Sequence, residues 1–183
     1  MDQGLIPRRY AKALIETARQ RGSERRLYDL AGNLVANFMA EPGLNAMVEN
    51  PFIAPAEKIK VLDTAAGATA DDTLYGDFLR LLERNKRLDT VRDCMVAYRD
   101  LYRKSHGISR VTVTTAAPLD KALEKRLKAI IEAHLGGGKI EYTALVDPDL
   151  IGGFTVAIDN ELLDASVAGE LNQLKKTHMK SIS

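Results

Sequence analysis

Through residues 1–105 apolar positions recur every three to four residues, the spacing that predicts amphipathic helices. Ile6 to Arg21 is the first, with Pro7 tolerated in its first turn and Gly22 ending it. Ser23 stands where the cap of a second helix belongs, and that helix runs to about Met39. Pro42 starts a short third helix, stopped near Asn50-Pro51, and Pro55 starts a fourth that reaches about Ala66. Asp71 or Asp72 caps a fifth helix to about Asn85, and a sixth spans Leu88 to about Lys104. The linkers are short, which predicts a compact helical bundle.

The period changes at His106-Gly107, placing a boundary between Lys104 and Ser109. Arg110 to Thr115 alternates β-branched residues and is read as a strand. Pro118 and Asp120 introduce a helix to about Leu135, ended by Gly136-Gly137-Gly138. A strand follows from Ile140 to Val146, with Ile140, Tyr142, Ala144 and Val146 on one face. The next strand lines Phe154, Val156 and Ile158 on one face, and Asp159-Asn160 turns the chain into a short strand. Ser166 caps a last helix, whose stripe is Val167, Leu171 and Leu174.

Two of the helices carry more apolar surface than a bundle requires. Ile6, Tyr10, Ala11, Ala13, Leu14, Ile15, Thr17 and Ala18 spread over roughly 180–200° of the first helix. Leu74, Tyr75, Phe78, Leu79, Leu81 and Leu82 cover roughly 160° of the fifth. A stripe somewhat over ~100° is enough to reach a core. Either these helices are central and wrapped by the others, or their surplus forms a groove for another helix, with Ala11, Ala13 and Ala18 allowing close approach. Periodicity alone leaves both readings open. The sixth helix has a narrower stripe of Leu88, Val91, Met95, Tyr98 and Tyr102.

Charge excludes one class of partner. The formal net charge is +1, and residues 1–105 hold 17 Lys and Arg against 15 Asp and Glu. Neither half has the basic excess of a nucleic-acid binder. The single cysteine, Cys94, cannot form an internal disulfide, which fits a reducing compartment. The opening Met-Asp-Gln-Gly predicts neither a secretory signal nor a transit peptide, and no stretch approaches the roughly 20 apolar residues of a membrane span.

No catalytic constellation emerges. Gly136-Gly137-Gly138-Lys139 lacks the phosphate-loop spacing and leads into a strand, so it is read as a helix stop. Gly152-Gly153 precedes a strand and is read as a turn or bulge. His106, His134 and His178 are scattered, and His134, beside Leu127, Ile130 and Ile131, is read as a packed core residue. Cys94 is read as an edge thiol without a partner that would make it a nucleophile. Asp147 and Asp149 flank Pro148 as turn residues. The expectation is a non-enzyme with no cofactor and no metal.

Four segments together resemble the delta subunit family of the rotary ATP synthase, whose mitochondrial form is the oligomycin-sensitivity-conferring protein. Arg9-Tyr10-Ala11-Lys12-Ala13-Leu14 is similar to that family's opening, Asn50-Pro51-Phe52-Ile53 to its mid-bundle motif, and Phe78 to Leu88 to its F-[LI]-x-L-[LV]-x-x-N-x-R-L. The segment from Tyr142 to Lys176 resembles its carboxyl-terminal signature. There the family often reads D-G-S-[VI]-R-G-[RQK]-L, whereas Asp164 to Leu171 has Ala168 in place of the basic residue and an acidic Glu170.

The resemblance implies a mainly α fold: a six-helix amino-terminal bundle, residues 1–105, followed by a small α+β carboxyl-terminal domain, residues 106–183. It implies a non-catalytic stator subunit of the rotary proton-translocating ATP synthase, linking the catalytic head to the peripheral stalk so that the head resists torque. The implied partners are the amino-terminal helix of an alpha subunit and peripheral stalk subunit b or its equivalent, with no nucleic acid and membrane contact only through the complex. The implied location is peripheral, on the cytoplasmic face of a bacterial inner membrane. In such proteins the receiving groove lies between the first and fifth helices, the two with wide apolar arcs. Tyr10, Ala13, Leu14, Thr17, Phe78 and Leu82 are the expected groove residues. A generic helical adaptor of another complex is the alternative.

Overall fold

The computed structural model describes residues 4–150, 153–159 and 161–166. They are mainly helical, with one small four-stranded sheet toward the carboxyl end. Two compact units divide between Ser105 and His106.

The first unit contains α1 (Leu5–Gln20), α2 (Glu24–Ala40), α3 (Pro42–Glu49), α4 (Pro55–Ala66), α5 (Thr73–Arg84) and α6 (Val91–His106), whose last residue reaches the boundary. A 3-10 turn, Leu88–Thr90, winds into α6, so the expected sixth helix begins tighter than an α-helix. Pro42 and Pro55 start α3 and α4, where a missing N–H costs nothing.

Two expected caps act differently. Ser23 occupies the position before α2, but its hydroxyl makes no capping bond and is buried without a partner. Asp72 precedes α5, but its carboxylate accepts from Thr69 N and Arg26 and leaves the first turn of α5 uncapped by that side chain. A charged guanidinium within reach is a stronger donor than a helix-end amide.

The core of this unit is built from one stripe of each helix. Leu30, Ala31 and Leu34 of α2, Leu62 and Ala66 of α4, Leu79 and Leu82 of α5, and Val91, Met95 and Tyr98 of α6 are all essentially inaccessible. Buried phenols find backbone acceptors: Tyr75 donates to Leu62 O at 3.1 Å and Tyr98 to Glu24 O at 3.0 Å. These bonds tie α5 to α4 and α6 to α2, and they satisfy groups that would otherwise destabilise the core. Tyr28 of α2 stacks on Tyr102 of α6 at 4.3 Å, with the Arg99 guanidinium 5.0 Å from the Tyr28 ring centre. Cys94 lies inside this core and not at an edge, 3.8 Å from the Thr90 hydroxyl.

In the second unit, β1 (Ile108–Thr115), α7 (Lys121–His134) and β2 (Lys139–Val146) form a parallel βαβ crossover. β3 (Gly153–Ile158) pairs antiparallel with β1, and β4 (Glu161–Ser166) with β3, giving the order β2-β1-β3-β4. Asp120 caps α7, its carboxylate accepting from Leu123 N at 2.7 Å. Val111, Val113 and Val156 of the sheet pack with Ile131 of α7, supported by Leu127, Leu135, Ile140, Tyr142, Phe154 and Ile158.

Two expectations about this unit are corrected. His134 is exposed, and Ile130 is 65% exposed. The row Leu127, Ile131, Leu135, four residues apart, faces the sheet, and Ile130 and His134 fall on the next row out. The apolar face of β2 is covered only at Ile140 and Tyr142; Ala144 and Val146 are exposed. Cover from α7 tapers there, since Leu123, one turn before Leu127, is itself half exposed. The expected last helix, with Val167, Leu171 and Leu174, lies outside the described residues.

Candidate partner-binding site

Most of the surplus apolar surface on α1 and α5 is used inside the bundle. α1 buries Pro7, Ala11, Leu14, Ile15 and Ala18. α5 buries Leu74, Tyr75, Phe78, Leu79 and Leu82. The wide arcs thus reflect wrapped helices over most of their width, and what remains outside is a strip along one edge of each.

Those edges adjoin. Arg21, just past the end of α1, reaches Asp77 in the early part of α5, with Nη1 to Oδ2 at 3.3 Å. Tyr10, near the start of α1, accepts at its hydroxyl from Asn85 Nδ2 at 3.0 Å, just past the end of α5. The two helices therefore run antiparallel, tied near both ends. Between the ties the Tyr10 ring meets Phe78 edge to face, with centroids 6.3 Å apart and planes at 78°. The stretch of α1 from Tyr10 to Arg21 is roughly 16 Å long, about three helical turns.

Helical geometry orders the strip. On α1, Tyr10, Ala13, Thr17 and Arg21 succeed one another at intervals of three or four residues, as do Asp77, Leu81 and Asn85 on α5. Ala13 is exposed, and Tyr10 and Thr17 are half-buried. The Thr17 hydroxyl is already committed to Ala13 O at 2.9 Å. Leu14, Phe78 and Leu82 are 4%, 4% and 0% exposed and form the floor beneath the strip. Of the six expected groove residues, then, three are surface and three are core. Leu81 was not among the expected groove residues. It is 46% exposed and sits between Asp77 and Asn85 on the α5 edge. Leu81 lies at one margin of the apolar arc and Leu79, fully buried, at the other, so the arc alone does not mark which residue stays exposed.

The rim is charged. Asp77 is held below the usual carboxylate range by Arg80 at 2.9 Å and then by Arg21. Arg9, Arg84 and Lys86 are exposed around the Tyr10–Asn85 end.

Among the described residues, the remaining candidates do not assemble a chemical centre. Burial pushes the Cys94 thiol up to about 11, which disfavours the thiolate a nucleophile needs. Among the described residues no cluster of His, Cys, Asp and Glu could hold a metal, and no helix is long and apolar enough to cross a membrane. Asp147 accepts from Asp149 N at 3.0 Å, the turn role expected of it. Ala168 and Glu170, where the carboxyl-terminal motif departs from its pattern, lie outside the described residues.

Comparison with known proteins gives concordant results. The profile of a family described as ATP synthase delta (OSCP) subunit matches residues 6–177. A protein named ATP synthase subunit delta from Parabacteroides distasonis is 38% identical over 175 residues, covering 96% of each chain. One of the same name from Bacteroides thetaiotaomicron is 34% identical over 177 residues, covering 96% of this chain and 95% of the relative. A chain in the structure of the Toxoplasma gondii mitochondrial ATP synthase hexamer shares the fold, with a TM-score of 0.76 at 20% identity, over 94% of this chain and 97% of that one.

Proposed function

The chain belongs to the ATP synthase delta (OSCP) family, and on that premise we propose that its α1/α5 face holds the amino-terminal helix of an alpha subunit while its second unit holds the peripheral stalk. As a member of the family it is a non-catalytic accessory subunit of the rotary ATP synthase, a stator part linking the catalytic head to the peripheral stalk. Membership replaces the broader reading of a generic helical adaptor. Its association with the membrane is peripheral and runs through the complex, on our reading at the cytoplasmic face of a bacterial inner membrane.

The mechanism is mechanical. The rotor exerts torque on the catalytic head. Without a static link the head turns with the rotor, and ion flow no longer drives synthesis. A helix laid in a groove suits a static link because many small apolar contacts add up without chemistry.

One observation supports the alpha assignment above others: α1 and α5 are tied near both ends, and Ala13 and Leu81 remain exposed between the ties. A short side chain flanked by larger apolar ones lets a helix backbone approach closely. For the stalk, exposed Leu123 and Ile130 on α7 and Leu145 and Val146 at the end of β2 supply unpartnered apolar surface. The finer division of labour follows: residues 1–105 as the alpha-binding six-helix bundle, and residues 106–183 as the α+β domain for subunit b or its equivalent.

Titration calorimetry with a peptide of the alpha amino terminus tests the groove. Ala13 is exposed, so Ala13→Asp leaves the free protein folded, yet it buries an unpaired charge in the complex. Binding should weaken by about 2–4 kcal/mol. Unchanged affinity in the folded variant removes the assignment.

A further inference from the structure

Among the described residues, four helices stop in the same way. After α1, α4, α5 and α7 a backbone N–H returns to the carbonyl five residues earlier: Ser23 to Ala18 at 2.9 Å, Ala68 to Asp63 at 2.9 Å, Arg87 to Leu82 at 2.8 Å and Gly137 to Glu132 at 2.9 Å. The residue before each donor must turn left-handed. It is Gly22 at φ 64°, Gly67 at 68°, Lys86 at 54° and Gly136 at 69°. Glycine meets the requirement three times. Only α5 of these four meets it with a residue whose Cβ crowds the backbone.

Asparagine or aspartate at such a position can offset the crowding with a local hydrogen bond; the long aliphatic stem of lysine cannot. A cation does suit the carboxyl end of a helix, but Arg84 already supplies one in the last turn of α5. Helix termination therefore does not account for lysine at this position.

Its surroundings do. Lys86 follows Asn85, whose amide is bonded to Tyr10, so it stands at one end of the α1/α5 strip. Arg84 lies on the adjoining rim, and Arg9 precedes Tyr10 on α1. All three are exposed, and none forms an ion pair with another described residue. At the far end of the strip Arg21 and Arg80 both pair with a carboxylate, sharing Asp77. The strip thus carries a single excess positive charge at one end, screened by Asp77, and three unmatched cations at the other.

We propose that Lys86 is retained in its strained conformation as an electrostatic anchor that, with Arg9 and Arg84, receives a carboxylate-bearing turn of the helix docked on α1 and α5. This rests on the reading of that face as the site of the alpha amino-terminal helix. It adds the chemistry of the partner, an acidic turn at one end of its apolar stripe, and so fixes which way the helix lies.

The test uses the full chain and the alpha amino-terminal peptide, with melting temperature and affinity measured at low and physiological salt. Lys86→Gly should melt higher than the wild type, because the strain is relieved. It should bind the peptide about three- to tenfold more weakly at low salt, with a shallower salt dependence. Lys86→Arg should keep the wild-type affinity, and Lys86→Asn should match Lys86→Gly in its weakened binding. A Lys86→Gly protein that binds as tightly as the wild type, or that melts lower, overturns the inference. If Ala13→Asp abolishes binding while Lys86→Gly leaves it intact, the docking face stands and only the anchor falls. If Ala13→Asp has no effect, the face and the anchor fall together.

Discussion

Arg26 of α2 and Asp72 before α5 form a two-pronged ion pair, Nε to Oδ1 at 2.8 Å and Nη2 to Oδ2 at 2.7 Å. The same guanidinium donates to Gly67 O at 3.2 Å, and the same carboxylate accepts from Thr69 N at 2.8 Å. The pair thereby pins the connection between α4 and α5 onto α2 and sets where α5 begins. Arg26 is the first cause of the low Asp72 pKa, which falls from 3.8 to about 2. A depressed folded-state pKa adds stability above the unfolded value and loses it as pH falls through the folded one. Asp72→Asn should therefore be less stable than the wild type at pH 7. The difference should shrink between about pH 4 and pH 2. Denaturant melts of both proteins across that range check it, and a difference independent of pH counts against the ion pair.

Leu81 and Leu82 are neighbours in sequence with opposite duties. Leu82 is fully buried, so Leu82→Ala should lower stability by about 2–5 kcal/mol through lost burial and a cavity. Leu81 is 46% exposed, so Leu81→Ser should change stability by only about 0.5 kcal/mol while weakening the alpha peptide measurably. Chemical melts alongside peptide titration separate the two. Equal effects of both substitutions on stability place Leu81 in the core and remove it from the docking strip.

Cys94 should be inert in the folded protein. Burial raises its pKa from 9.0 to about 11, with Asp93 and Asp89 adding to the rise. At pH 8 a thiol reagent should label it only as fast as the bundle opens, and labelling should be complete in denaturant. Rapid native labelling would mean that the thiol is accessible.

A protein of residues 1–105 alone should fold as an almost purely helical unit, since α1 to α6 contain its core and the boundary falls at Ser105. Circular dichroism with thermal melting is the measurement. A non-cooperative melt would show that the bundle needs the second unit.

Membranes stripped of this subunit should hydrolyse ATP at the detached head and fail at ion-driven synthesis, and the purified chain should restore synthesis. Depleted membranes that still synthesise ATP at the full rate contradict a stator role. Loss of hydrolysis by the isolated head would bring the chain closer to the chemistry than a stator should be.

Among the described residues, sequence by itself determined where the helices and strands fall and where the period changes. These depend on spacing, proline, glycine and turn residues acting over one or two turns. Gly22, Pro42, Pro55, Asp120 and Gly136 each act at the position the local pattern assigns. The motifs also sufficed to place the chain in its family. Tertiary structure alone decided which apolar residues are used up internally. Leu14, Phe78 and Leu82 lie in the same arcs as Ala13 and Leu81, yet neighbouring helices cover the first three and leave the other two exposed. The same holds for Cys94, drawn into the core, and for His134, turned outward. It holds for Asp72, captured by an arginine 46 residues away in place of its own helix. Periodicity fixes the angle of a side chain about its helix axis. What stands opposite that angle is set by elements distant in sequence, and no local pattern records it.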